Sequence, residues 1–284
     1  MSDTLTRFIF ENLDVRGELI QLKNSTHELL DGHDYPPVLA ELLKQAAAVN
    51  ALLASTLKFE GRISLQLQTP GDLRFLLVQT THKLNFRGTV SFESEASYDD
   101  KSFQELTQDG QLVITIDPLK GERYQGIVAL EGANLAACIE NYFEQSEQLR
   151  TRIWLFSNSD YECGLLLQAL PAMKAQGEFE HLRILAETIT ADELFTLDST
   201  AIIYRLFNEE TVRIFDADNV TFKCDCSRDK MLSSVAMLPV EDIQEIFETQ
   251  KEIAVQCEFC NDQYAFTLID IKEHHAVVGN MTTH

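Results

Sequence analysis

Four cysteines near one end constrain this chain more than any other feature. Cys224-Asp225-Cys226 is followed, after 30 intervening residues, by Cys257-Glu258-Phe259-Cys260. In extended backbone, residues two apart face the same side, so Cys224 and Cys226 can both address one ion. The spacing of Cys257 and Cys260 allows a tight knuckle that turns both sulfurs, and nearby backbone N–H groups, towards a metal. Four thiolates in a tetrahedron select zinc or an iron–sulfur cluster. Two separated pairs, without the close run of cysteines found in ferredoxins, favour zinc, one ion per chain. All four ligands then come from protein, so no coordination position is left for a catalytic water.

The plainest role of such a site is to pin a small domain. Only about 60 residues surround these cysteines, too few for a robust apolar core. Metal binding in domains of this kind contributes on the order of 10–16 kcal/mol at neutral pH, so losing the zinc should unfold the domain. Each pair is close enough in sequence to form a local disulfide, and thiolates are the species oxidants attack. Lys223, Arg228 and Lys230 bring positive charge that favours thiolate; Asp225, Glu258 and Asp262 oppose it. The residues permit a redox switch without requiring one. Cys138, on the apolar face of a helix, and Cys163, at the start of an apolar strand, read as buried and inert core thiols. His274-His275 reads as solvated helix surface.

Composition narrows the partners. Across 284 residues, Asp and Glu outnumber Lys and Arg by 45 to 23, a net charge of -22. Such a surface repels phosphate backbones and anionic lipid, so neither nucleic acid nor membrane is expected as a partner. The first 20 residues carry charges throughout and lack the apolar core of a signal peptide. No apolar run is read as approaching the roughly 20 residues that span a bilayer. A cytoplasmic protein is expected, where six cysteines serve as metal ligands, redox groups or core residues. No enzyme is expected. There is no glycine-rich phosphate loop, no H-x-E paired with P-C-x-x-C as in zinc deaminases, and the C-x-x-C falls in a hairpin-like run instead of a βαβ unit.

The order of elements is irregular. Strands are expected at Val15 to Leu22, around Ile63, Leu65 and Leu67, at Leu73 to Val78, Leu84 to Phe92, Leu112 to Ile116, Tyr124 to Leu130, Arg152 to Phe156 and Gly164 to Leu170. A helix is expected from Val38 through Leu57, with Pro36 and Pro37 in its first turn. Another carries Leu135, Cys138, Ile139 and Tyr142 on one face. Glu93 to Gln108 reads as an exposed acidic connection. This is α+β, with a largely antiparallel sheet. After Pro171 a polar stretch marks a boundary, and a helical region follows from about Glu180 to Asn208. It includes a Thr190–Glu193 capping box and an apolar face of Ile202, Ile203, Leu206 and Phe207. Residues 178–222 hold 10 acidic and 3 basic side chains. They have too few apolar residues to fold alone, and must lie against something or come loose. Beyond Val220, helical stretches at Met231 to Leu238 and Glu241 to Glu248 precede a hairpin-like run from Ile253 to Phe266. Three regions result: an N-terminal α+β core domain (1–174), a mainly helical, metastable linker (175–222) and a C-terminal zinc domain (223–284).

Several long segments resemble the heat-shock protein 33 family of redox-regulated bacterial chaperones. FKCDCSRDK and VQCEFCNDQYAF carry its cysteine signature. ENLDVRGELIQL, LKFEGRISLQLQ, GERYQGIVALEGANLAACIENYFEQSEQLRTR and IIYRLFNEETVRIFD extend the resemblance over essentially the whole chain. The family usually has a glycine pair where this chain has Cys163-Gly164. The resemblance implies a reduced, zinc-bound, inactive monomer. Peroxide with heat, or hypochlorous acid, would convert the ligands to two disulfides, Cys224–Cys226 and Cys257–Cys260. Zinc would leave, the zinc domain and linker would unfold, and a dimer would hold unfolding client proteins without ATP. Two readings from other classes stand beside this holdase: a thiol–disulfide oxidoreductase using Cys257 and Cys260, and a constitutive zinc-stabilised protein-binding module.

Overall fold

The computed structural model describes residues 3–56, 60–171 and 176–281, with side chains left out at 176 and 275–281. Leu57, the polar boundary at 172–175 and the His275 side chain therefore lie outside the described residues. In chain order the elements are β1 (Thr4–Phe10), β2 (Val15–Leu22), α1 (Asn24–Leu30), α2 (Pro37–Ser55), β3 (Gly61–Gln68), β4 (Leu73–Thr81), β5 (Asn85–Phe92), α3 (Phe103–Leu106), β6 (Gln111–Pro118), β7 (Tyr124–Ala129) and α4 (Leu135–Tyr142). A π turn at Phe143–Glu147 leads to β8 (Thr151–Ser157), β9 (Glu162–Ala169), α5 (Gln176–Ala186), α6 (Ala191–Thr196), α7 (Ser199–Phe207), β10 (Val212–Ile214), β11 (Asp218–Asn219) and β12 (Thr221–Phe222). The last elements are α8 (Arg228–Val235), α9 (Val240–Thr249), β13 (Ile253–Gln256), β14 (Gln263–Phe266) and α10 (Leu268–Met281). This is the expected α+β class. The chain separates into two compact units, residues 1–223 and 224–284.

The first unit contains two sheets. One runs β10-β1-β2-β9-β8, with β11 also on β1; the other runs β12-β5-β4-β3-β6-β7. Every pairing is antiparallel except β12 on β5. Helix α2 packs against both sheets. It is apolar nearly all round, as a fully enclosed helix should be, and Leu39, Leu43, Ala47 and Leu52 are completely buried. Its fully buried polar group, Asn50, donates to Thr80 Oγ1 at 2.8 Å and to the Ile63 carbonyl at 3.2 Å. At 19 residues α2 has the length and composition to cross a bilayer, which corrects the expectation that no apolar run comes near that length. The reason is its burial: it is the core helix of this unit. Between β5 and β6, the stretch expected as a bare connection contains α3, which starts with a Ser102–Glu105 capping box.

Residues 176–222 pack against the first sheet. Phe179, Leu182, Leu194, Ile202, Ile203 and Phe207 bury themselves on the face that presents Phe8, Phe10, Val15, Leu19, Leu165 and Leu167. Phe207 meets Phe10 edge-on with ring centroids 5.0 Å apart. Each such side chain contributes about 1.5–3 kcal/mol on burial, so the cover depends on the sheet and has no core of its own. The same segment then returns strands to both sheets, β10 and β11 to β1 and β12 to β5.

The second unit is small. Its apolar core is Val235, Ile243, Ile253, Phe266 and Ile271, with a margin that includes Leu232, Ile246 and Phe247. Helix α8 begins at Ser227, which accepts from the Lys230 N–H, and α9 follows Pro239. Strands β13 and β14 form a two-stranded hairpin, with Gln256 opposite Gln263.

Candidate metal centre

The hairpin turn builds half of the site. Cys257-Glu258-Phe259-Cys260 occupies the turn between β13 and β14. The Asn261 N–H donates to the Cys257 carbonyl at 2.8 Å, and the Cys257 N–H donates to the Asp262 carbonyl at 2.9 Å. Asn261 takes a left-handed conformation, φ 59°, which asparagine tolerates better than most residues. The turn therefore closes into a knuckle and is not the start of a helix. The other half is Cys224-Asp225-Cys226, just before the capped start of α8.

All four sulfurs lie within 4.8 Å of one another. Cys224 Sγ is 3.7 Å from Cys257 Sγ, and Cys226 Sγ is 3.4 Å from Cys260 Sγ. A zinc tetrahedron with bonds of about 2.3 Å has sulfur–sulfur edges near 3.8 Å, so this donor set fits one such ion. These two contacts cross between the pairs. The cluster geometry therefore does not single out disulfides within each pair.

The surroundings tune the sulfurs unequally. Burial pushes the Cys257 thiol up, but hydrogen bonds from the backbone N–H groups of Phe259 and Cys260 and from the Cys224 and Cys260 side chains together hold it below its ordinary value. Burial raises Cys224 and Cys260. The Tyr264 hydroxyl lies 3.2 Å from Cys226 Sγ, and that contact is the main reason its own proton is held more tightly than usual. Against a thiolate, the hydroxyl is the donor. Tyr264 escaped the reading of the sequence; its one signal was its place on the return strand, four residues after Cys260. Two of the basic residues expected to favour thiolate are paired with carboxylates. Lys230 Nζ pairs with Asp225 at 2.8 Å, and Arg228 pairs with Asp270 at 3.2 Å while its guanidinium lies over the Phe266 ring.

The other two cysteines are apart from the cluster. Cys138 is buried and accepts from the Gly132 N–H at 3.3 Å, and burial raises its pKa. Cys163 is buried on the face covered by residues 176–222, where its Sγ approaches the Leu194 carbonyl at 3.6 Å. Burial pushes this thiol up to about 12. Both match the expectation of inert core thiols. Gly164 faces the opposite side, where a Cβ would come within 3.1 Å of Leu155 and 3.3 Å of Ile20. His274 is half-buried on α10.

Two sheets around a core helix, followed by a small hairpin unit that gathers four thiols, define an α+β protein with a candidate metal centre. The family profile described as Hsp33 protein matches residues 3–267, so the chain belongs to the Hsp33 family. It is 45% identical to the 33 kDa chaperonin of Shewanella frigidimarina, over 95% of this chain and 94% of that one. It is 41% identical to the 33 kDa chaperonin of Pseudomonas aeruginosa, over 98% and 96% of the two chains. The crystal structure of the 33 kDa chaperonin (heat shock protein 33 homologue) from Thermotoga maritima superposes with a TM-score of 0.84. That match covers 98% of this chain and 99% of the other at 19% identity.

Proposed function

We propose that this chain is a redox-regulated, ATP-independent holdase of the cytoplasm, with no enzymatic turnover, whose resting form holds one zinc ion on Cys224, Cys226, Cys257 and Cys260. The observation that carries the reading is the meeting of four sulfurs, all within 4.8 Å, in a unit whose fully buried apolar core is Val235, Ile243, Ile253, Phe266 and Ile271. Bound there, zinc would keep the sulfurs as thiolates and supply folding energy that so small a core lacks.

The protein's own residues do the rest. Two equivalents of a two-electron oxidant, such as peroxide, take four electrons from the four thiolates. Two S–S bonds form, Cys224–Cys226 and Cys257–Cys260, and each peroxide is reduced to water. The donor set is then gone, the ion is released, and residues 224–284 unfold. Residues 175–222 follow and uncover the sheet face of Phe8, Phe10, Val15, Leu19, Leu165 and Leu167. An apolar face of that kind suits unfolding client chains. The active form is a homodimer, and the reduced form a monomer.

The test is light scattering of a heat-unfolded client, with the protein added either reduced and zinc-loaded or after peroxide at elevated temperature. Released zinc is followed in parallel with a chromogenic chelator. Suppression of aggregation only after oxidation, in step with about one zinc per chain, supports the reading. Equal activity of the two forms, or zinc release with no gain in activity, overturns it.

A further inference from the structure

Sheet edges are where a folded chain can accept another strand, and proteins normally blunt or cover them. The two six-stranded sheets have four edges, and three of these are managed. β10 and β12 are only three and two residues long. β8 is longer, but the N–H of Ile153 on its open side donates to Glu140 Oε1 of α4 at 2.7 Å. β7 is different. It is a six-residue edge strand, YQGIVA, with no charge, no proline and no bulge.

The hydrogen-bond parity of β7 follows from its pairing with β6. The Leu130 N–H donates to the Gly110 carbonyl at 3.0 Å, and the register runs from Gln111 opposite Ala129 to Ile116 opposite Tyr124. In an antiparallel ladder, Val128, Gly126 and Tyr124 then bond to β6, and Gln125, Ile127 and Ala129 present their N–H and C=O groups to the open side. Among the described residues nothing pairs with those groups. Ile127 is 55% exposed and Tyr124 is 46% exposed. The inner face is filled: a Cβ on Gly126 would lie 2.6 Å from Tyr142 Cε2.

We propose that β7 is the docking edge for a second copy of this chain, pairing antiparallel with its own counterpart about Ile127. In a two-fold antiparallel pairing the outward-facing residues stand opposite one another whichever residue lies on the axis, so the side chains must choose the register. Centred on Ile127, Gln125 bonds to Ala129 of the other copy, Tyr124 stands opposite Leu130, and Arg123 faces Glu131 at both ends. Neither Arg123 nor Glu131 has an ion-pair partner among the described residues, so this register gives each an opposite charge on the same sheet face. Centring on any other residue of β7 loses these pairs. The contact is isologous, as a two-fold dimer requires, and joins two six-stranded sheets into one. The proposal rests on the homodimeric active form inferred above and gives that form an interface.

The test is sedimentation velocity of the full chain, reduced and oxidised, over a concentration series, with client-aggregation assays alongside. Arg123→Glu and Glu131→Arg each set like charges face to face and should raise the dimer dissociation constant about tenfold. The double charge swap should restore it to within about twofold. Ile127→Pro deletes an outward N–H while keeping every bond to β6, so it should abolish the dimer with an unchanged circular dichroism spectrum. If the oxidised wild type is a monomer, the homodimer reading fails and this interface with it. If the dimer persists unchanged in all three single variants, the homodimer stands and this interface is wrong. If the variants leave the dimer intact but weaken holdase activity, the edge serves clients and the proposal is overturned.

Discussion

The Ser199 hydroxyl donates to the Gln21 carboxamide oxygen at 3.0 Å, joining the start of α7 to the buried strand β2. The nitrogen of the same carboxamide donates to the Leu194 and Leu197 carbonyls at 2.7 and 2.9 Å. One side chain of the sheet thus satisfies three groups of the segment that covers it. Gln21→Ala leaves those groups short of partners in a buried place, a loss of about 1–3 kcal/mol. Hydrogen exchange should quicken across 190–207, with unchanged zinc content in the reduced protein. Unaltered protection there would show that apolar packing alone holds the cover.

Cys257 carries both a sulfur of the cluster and the backbone bonds of the knuckle. Cys257→Ser replaces a soft thiolate donor with a hydroxyl, which zinc binds poorly. The reduced variant should hold well under one zinc per chain and be cut rapidly by protease within 224–284, with the first unit intact. A variant with full zinc and normal protease resistance would remove Cys257 from the ligand set.

The Tyr264 hydroxyl lies 3.2 Å from Cys226 Sγ, and against a thiolate it is the donor; such a bond draws charge from the sulfur an oxidant must attack. Tyr264→Phe keeps the ring and removes that bond. Zinc release at fixed peroxide should be several-fold faster, and zinc stoichiometry before oxidation should be unchanged. An unaltered rate would make the hydroxyl a bystander.

Two buried glutamates set a pH dependence in the first unit. Burial raises Glu18 to about 7 and Glu162 to about 8. Ser55 and Ser157 bond to them respectively, and Lys44 acts on Glu162 against the burial. Folded values above the unfolded one mean that the folded state binds these protons more tightly. Their stabilising share is complete below about pH 4.5 and is lost as pH rises through 7 and 8. The carboxylates with lowered values, Glu105, Glu193 and Asp270, titrate below that window. The denaturation midpoint should fall between pH 5.5 and 8.5, and Glu162→Gln should flatten the fall, for a gain on the order of a few kcal/mol at the alkaline end. A wild-type midpoint constant over this range would contradict the assignment.

Much of this was readable from residues. Ile63, Leu65 and Leu67 alternate because β3 has one face on the core, and the capping box at Thr190 and Glu193 is present. The cysteine spacing gave the cluster, since ligand geometry demands sulfurs at set separations. β1 was not expected from the sequence: in Thr4–Phe10 the buried and exposed positions alternate imperfectly, so no clear period of two shows. Strands β10, β11 and β12 are two or three residues long, too short for any periodicity. They exist only because β1 and β5 offer edges, and no local pattern encodes a partner 136 to 215 residues away. Tyr264 was missed for a similar reason: its role depends on where the hairpin carries it.

The pairing of Phe8 with Ile214 also fixes an order of events at birth. A ribosome adds roughly 5–20 residues per second, so β1 and β2 wait about 10–40 s for the strand and helices that close over them. During synthesis the first sheet stands uncovered, and the last fifth or so of the unit to emerge is its lid. Every molecule of this protein passes once, as a nascent chain, through an uncovered state before it reaches the closed one.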